Sequence, residues 1–153
     1  MNQSEKRLFL IQSLLKENQE YRDMNIPAEP ESQRQFLRGL MNIRMPQRIG
    51  EDFLKMQDEY LQSETVAKGI TDIADLTPIQ QGLYIWQGDI TTLKCDVIVN
   101  AANSGMTGCY IPNHRCIDNA IHTYAGVELR LACAELMEQQ GYPEPTGQAK
   151  ITL

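Results

Sequence analysis

The stretch DVIVNAANSGMTGCYIPNHRCIDNAI, residues 96–121, decides how this chain is read. Val97-Ile98-Val99 is β-branched and apolar throughout, the pattern of a strand covered on both faces of a parallel sheet. A run of small and amide residues follows, Asn100-Ala101-Ala102-Asn103-Ser104-Gly105 and then Gly108. Beyond it Ile117, Ala120, Ile121 and Tyr124 recur at i, i+3, i+4, i+7, which predicts a helix. Strand, glycine-loosened loop, helix is an α/β unit, and in such sheets ligands bind beyond the carboxyl ends of the strands, where Asn100 and the glycines fall. Within eight residues of the same stretch stand Cys109, His114 and Cys116, three of the chain's few soft metal ligands.

Outward from this stretch the texture differs on the two sides. Upstream, Leu83-Tyr84-Ile85-Trp86 reads as a second central strand, bounded by Gly82 and Gly88. Downstream, Leu129, Ala132, Cys133 and Leu136 make one face of a second helix after Gly126, which puts Cys133 in the core. Cys95 has no other ligand near it in sequence and is read as structural. Residues 1–76 carry three helical stripes instead: Leu8, Ile11 and Leu15; Phe36, Leu37, Leu40 and Met41; Phe53, Leu54, Tyr60 and Leu61. Pro27, Pro30 and Pro46 punctuate them. Each stripe is too narrow to form a core alone, so residues 1–76 are expected to form a small helical extension and residues 77–153 the start of the α/β domain. Nothing in the extension suggests chemistry; Glu17, Glu20, Arg22 and Asp23 read as solvated helix faces.

Composition narrows the function classes. Of the 153 residues, 42% are apolar and 22% charged, which suits a packed globular domain. The formal charge of -6 lacks the basic face that nucleic acid requires. The opening MNQSEKRLFLIQSLLKENQE has neither a long apolar run nor a small-residue cleavage site, so no membrane span or signal peptide is expected and a cytoplasmic protein is. In that compartment four cysteines are more readily thiols or metal ligands than disulfides.

Two thiolates and an imidazole suit zinc, and three protein ligands leave its fourth position for water or substrate. Cys116 would stand at the start of the helix carrying Ile117 and Ile121, where backbone N–H groups favour a thiolate. The alternative is two packed thiols and a surface histidine, because Cys-x4-His-x-Cys is not a common finger spacing. His122 is read as structural or as support for a ligand. The glycines admit an ordinary loop as well as a phosphate cradle.

Gln87-Gly88-Asp89-Ile90-Thr91, followed by Asp96-Val97-Ile98-Val99-Asn100-Ala101-Ala102-Asn103-Ser104, resembles the opening half of a macrodomain, the ADP-ribose-binding α/β/α module. Gly108-Cys109-Tyr110-Ile111-Pro112-Asn113-His114-Arg115-Cys116-Ile117-Asp118-Asn119-Ala120-Ile121-His122 is similar to the signature of the microbial zinc-dependent macrodomains, which carry a helical N-terminal extension. The resemblance implies zinc on Cys109, His114 and Cys116 and hydrolytic removal of ADP-ribose from modified proteins. It also implies, as partners, a sirtuin-like ADP-ribosyltransferase and a lipoylated carrier protein. The residues suit these roles. Asp89 can accept from the exocyclic amine of adenine while the Ile90 N–H donates to a ring nitrogen, and Asn100 and Asn103 match ribose hydroxyls. Ala101, Ala102, Ser104, Gly105 and Gly108 let backbone N–H groups approach phosphate. Asn103 is the expected orienter of the distal ribose or of an attacking water, and Asp118 a lesser candidate that a helix N-terminal position explains equally well. Residues 77–153 hold only the N-terminal half of such a sandwich. The closing Ala-Lys-Ile-Thr-Leu reads as the start of another strand, and the family's second glycine-rich loop has no counterpart, so a fragment of a longer protein is expected. A non-catalytic ADP-ribose-binding module with a structural zinc, or an inactive scaffold, remains open beside the enzyme.

Overall fold

The computed structural model describes residues 1–152. Three helices come first: α1 (Gln3–Glu17), α2 (Pro30–Ile43) and α3 (Glu51–Lys68). Asn2 caps α1 in a reciprocal box, its Oδ1 accepting from the Glu5 N–H at 2.9 Å while its own N–H donates to the Glu5 carboxylate at 2.9 Å. Pro30 occupies the first turn of α2, where its missing N–H costs nothing. The three apolar stripes meet in one core of Leu10, Ile11, Leu14, Leu15, Leu37, Leu40, Met41, Phe53, Tyr60 and Leu61, closed by Val127 from the far half of the chain. Inside it Arg7 is buried with its guanidinium on Gln33 Oε1, at 3.1 and 2.9 Å. Glu17 is not merely a solvated face, for it forms a two-pronged ion pair with the buried Arg44, at 2.7 and 2.9 Å.

The second half supplies α4 (Ile117–Tyr124) and α5 (Val127–Gln140), as the periodicity predicts. Gln57 of α3 caps α5 from outside: its Oε1 accepts from the Val127 N–H at 2.9 Å, and the Gln57 amide packs so closely on Gly126 (φ 83°) that no side chain fits there. Cys133 is buried, and that burial pushes its thiol up from the ordinary cysteine range.

The sheet differs from expectation. It is parallel, as an α/β chain requires, but its strands are β1 (Thr71–Asp72) and β2 (Leu93–Lys94), paired Thr71 to Leu93 and Asp72 to Lys94. Leu83–Trp86 forms no strand, only an isolated antiparallel bridge from Leu83 to Gln80, and Val97–Val99 is unpaired. Both runs are largely exposed, Ile85 at 77% and Val99 at 83%. A parallel strand is stable when partners flank it and layers cover it, and among the described residues none lies alongside these runs. Residues 149–152 are likewise irregular, and Leu153 lies outside the described residues. None of the described helices is long and apolar enough to cross a membrane.

Candidate metal centre and ligand loop

The loop from Asn100 runs along the N-terminal end of α4 and returns to it through Cys109–Cys116. It is held by short-range bonds. Asn103 donates its amide to the Gly108 carbonyl at 3.2 Å and accepts the Gly105 N–H at 2.9 Å. Gly108 (φ 85°) is needed twice, for its left-handed backbone and because the His122 ring lies against it, where a Cβ would come within 2.8 Å.

Cys109, His114 and Cys116 converge, their ligand atoms all within 4.8 Å of one another, and the Cys109 sulfur lies 3.4 Å from His114 Nδ1. A tetrahedral ion with sulfur at about 2.3 Å and nitrogen at about 2.0–2.1 Å sets neighbouring donors roughly 3.6 Å apart, so the donor set fits a metal ion. Cys116 is the N-cap of α4, its sulfur accepting the Asn119 N–H at 3.4 Å. The helix start expected there is thus observed. Cys109 and Cys116 are half-buried and His114 exposed, which leaves an approach from solvent.

The Asn100 amide donates to Asp118 Oδ1 at 2.8 Å, while its own Oδ1 is buried without a hydrogen-bond partner among the described residues. Asp118, at the first turn of α4, therefore supports Asn100 more directly than it supports Cys116. His122 is also buried; its Nε2 lies 3.5 Å from Asp118 Oδ1, near enough for attraction but outside hydrogen-bonding geometry. Burial pushes the His122 imidazole below its ordinary range, opposed by Asp118 and reinforced by Arg130. The folded protein therefore holds His122 neutral at a pH where the unfolded chain, with a pKa of about 6.5, takes up a proton. Stability contributed by neutral His122 is complete above about pH 6.5 and declines as pH falls below that value, down to the lower folded pKa. In an NMR titration of metal-stripped protein the His122 ring should show its midpoint below about 6.5; a midpoint at or above that value would show that Asp118 outweighs burial.

Asp89 stands apart from the metal ligands, capping the short 3-10 turn Ile90–Thr92. Its Oδ1 accepts from the Thr91 N–H (3.0 Å) and hydroxyl (2.6 Å), and its Oδ2 pairs with Lys68 at 3.0 Å. Although burial raises it, these bonds from Thr91 and Lys68 hold the carboxyl below the usual aspartate value. Lys68 also lies 3.3 Å over the Tyr124 ring. Between this segment and α4 opens a groove of about 280 Å³ lined by Ile90, Thr91, Val97, Ile98, Ile121 and Tyr124. Cys95 also borders the groove. Ala101, Ser104 and Gly105 are exposed and Ala102 is half-buried.

The extension, whose sequence suggests no chemistry, takes part in holding the loop in place. Arg38 of α2 reaches the His114 carbonyl and Asn119; Asn42 accepts the Asn113 N–H at 3.0 Å and donates to Thr123 Oγ1 at 3.0 Å. From α5, Arg130 stacks on Tyr110 at 4.2 Å and donates to the Cys109 carbonyl at 3.4 Å. No local pattern singles these residues out, because every partner is distant in sequence.

Residues 99–153 match the family model described as Macro domain. The chain is 55% identical over 156 residues to a protein-ADP-ribose hydrolase of Treponema medium, covering 99% of this chain and 60% of that protein. It is 46% identical to a protein-ADP-ribose hydrolase of Staphylococcus aureus (strain MRSA252), covering 94% of this chain and 54% of the relative. A probable bifunctional ADP-ribose hydrolase/ADP-ribosyltransferase of Fusarium oxysporum f. sp. cubense is 37% identical, covering 88% of this chain and 24% of its own length. The chain thus spans little more than half the length of the bacterial relatives.

Proposed function

The chain belongs to the macrodomain family, and from that premise we propose that it is the metal-bearing part of a protein-ADP-ribose hydrolase. The observation that carries this reading is the convergence of Cys109, His114 and Cys116 at the end of the Asn100–Gly108 loop. Two sulfurs and an imidazole favour zinc over harder ions, and among the described residues only three protein ligands gather there. Bound there, zinc would supply Lewis-acid polarisation of an oxygen and a lowered pKa for water.

The chain's own residues would do the rest. Asp89 accepts the exocyclic amine of adenine through the lone pairs that Thr91 and Lys68 leave free on its carboxylate. The Ile90 N–H donates to the ring, and the groove beside Ile90 and Tyr124 receives the base. Asn100 offers its partnerless Oδ1 to a ribose hydroxyl. Backbone N–H groups of Ala101, Ser104 and Gly108 approach the diphosphate, while those of Ala102 and Gly105, which donate to the Asn100 carbonyl and to Asn103 Oδ1, shape the loop around it. Asn103, fixed by Gly105 and Gly108, orients the distal ribose or the attacking water; an amide holds such a group without titrating near neutral pH.

The proposed substrate is a protein mono-ADP-ribosylated on aspartate or glutamate. By family resemblance, a lipoylated carrier modified by a sirtuin-like transferase is the expected bearer. The test is release of ADP-ribose by the full-length protein from substrates modified on acidic, serine or arginine side chains, with ADP-ribose affinity measured calorimetrically on the same sample. Release from the acidic linkage is expected to be fastest. Tight ADP-ribose binding with no release from any of the three would instead establish a binding module whose metal only stiffens the loop.

A further inference from the structure

Two of the three metal ligands are tethered to the helical extension through one side chain. Arg38, on α2, donates from a terminal nitrogen to the His114 carbonyl at 3.1 Å. The same guanidinium grips Asn119 Oδ1 in a fork, Nε at 3.2 Å and the terminal nitrogen at 2.8 Å. Asn119 is fully buried, and each of its groups is committed: its amide donates to the Ile111 carbonyl at 3.0 Å and its backbone N–H to the Cys116 sulfur at 3.4 Å. Asn113 between them is held in the left-handed region (φ 55°) with its N–H on Asn42 of the same helix.

We propose that Arg38 is a positioning residue for the metal centre, setting the placement of His114 directly and of Cys116 through Asn119. The inference rests on the reading of Cys109, His114 and Cys116 as metal ligands. Its physical basis is that an exposed imidazole on a tight loop has many rotamers and backbone placements open to it. Pinning its own carbonyl, and the peptide at the neighbouring ligand, removes that freedom before the ion arrives. A bidentate guanidinium suits the task because the fork fixes direction as well as distance.

The test is zinc affinity by chelator competition, with the visible spectrum of the cobalt(II) form, on full-length protein carrying Arg38→Ala, Arg38→Lys or Arg34→Ala. Outer residues that orient ligands are worth about 10–100-fold in metal affinity, and Arg38→Ala should weaken zinc by that much and shift the cobalt ligand-field bands. Arg38→Lys, which keeps one donor but not the fork, should fall between and serves where the alanine variant does not fold. Arg34, on the same helix but paired with Glu31 and Glu64 at the surface, should leave affinity and spectrum unchanged when replaced. Wild-type zinc affinity and an unshifted cobalt spectrum in folded Arg38→Ala and Arg38→Lys would overturn the inference alone. A wild-type protein that binds neither metal would overturn the metal reading as well.

Discussion

If the proposed function holds, Cys109→Ser in the full-length protein is expected to purify with little of the wild-type zinc and to release ADP-ribose at least about 100-fold more slowly, while its affinity for free ADP-ribose stays near wild type. Serine nearly matches cysteine in shape, so the loop can keep its bonds, including Arg130 on the Cys109 carbonyl. What changes is the donor 3.4 Å from His114 Nδ1: a hydroxyl that stays protonated near neutral pH replaces a soft sulfur that ionises far more easily. Two protein donors then remain. The groups assigned to adenine and the proximal ribose, Asp89 and Asn100, touch none of the three ligands, so ground-state binding should persist. Elemental analysis, release kinetics and calorimetry on one preparation decide the matter. Full zinc content in the variant would remove Cys109 from the site, and full activity in zinc-free protein would remove the metal from the reaction.

Arg130→Met should cost about 3 kcal/mol of stability, as much as truncating a buried core side chain. One terminal nitrogen of Arg130 donates to the carbonyls of Met41, Asn42 and Arg44 at 3.3, 2.6 and 2.7 Å, meeting acceptors that α2 leaves open at its end. The side chain is 5% exposed, and its burial lowers the pKa from the usual arginine value. Methionine replaces the alkyl stem but offers no donor, so these buried acceptors lose their partner. Relief of the unpartnered Nε and of a buried charge keeps the expected loss near 3 kcal/mol and not above it. A drop in the urea midpoint at constant slope is the signature, and a loss below about 1 kcal/mol would mean that water reaches the three carbonyls. The Arg48–Glu135 pair is mostly in solvent and should matter little by comparison.

What the sequence made legible was whatever repeats or clusters locally. The stripes at Ile11 and Leu15, at Leu37, Leu40 and Met41, and at Phe53, Tyr60 and Leu61 mark helices because burial recurs with the helical period. Cys109, His114 and Cys116 stand out because one tight loop is enough to bring three ligands within eight residues together, as it does here. The strands were less legible. Val97–Val99 has the composition of a covered strand, yet composition records only what a segment would gain by being covered, not whether a partner lies beside it. Least visible was the extension's share in the site. Arg38 and Arg44 look like surface arginines until their partners His114, Asn119 and Glu17 are placed, and Asn119 looks like any polar residue in an amphipathic helix. Hydrogen bonds between residues far apart carry no periodic signal.

The long reach of these bonds also orders events during synthesis. Leu10 through Leu61 form nearly the whole apolar core, so α1, α2 and α3 can close on each other as soon as they clear the ribosome. The bond from Arg38 to Asn119 spans 81 residues and that from Arg130 to Asn42 spans 88. At roughly 5–20 residues per second, residue 130 follows residue 61 by about 3–14 s. During that interval the helical bundle waits with Arg38 and Asn42 unmatched, a docking surface made before its cargo. Cys109 and Cys116 thus emerge as free thiols opposite a preformed scaffold, and their loop gains its bonds to α2 only as α4 and α5 leave the ribosome and settle against that helix.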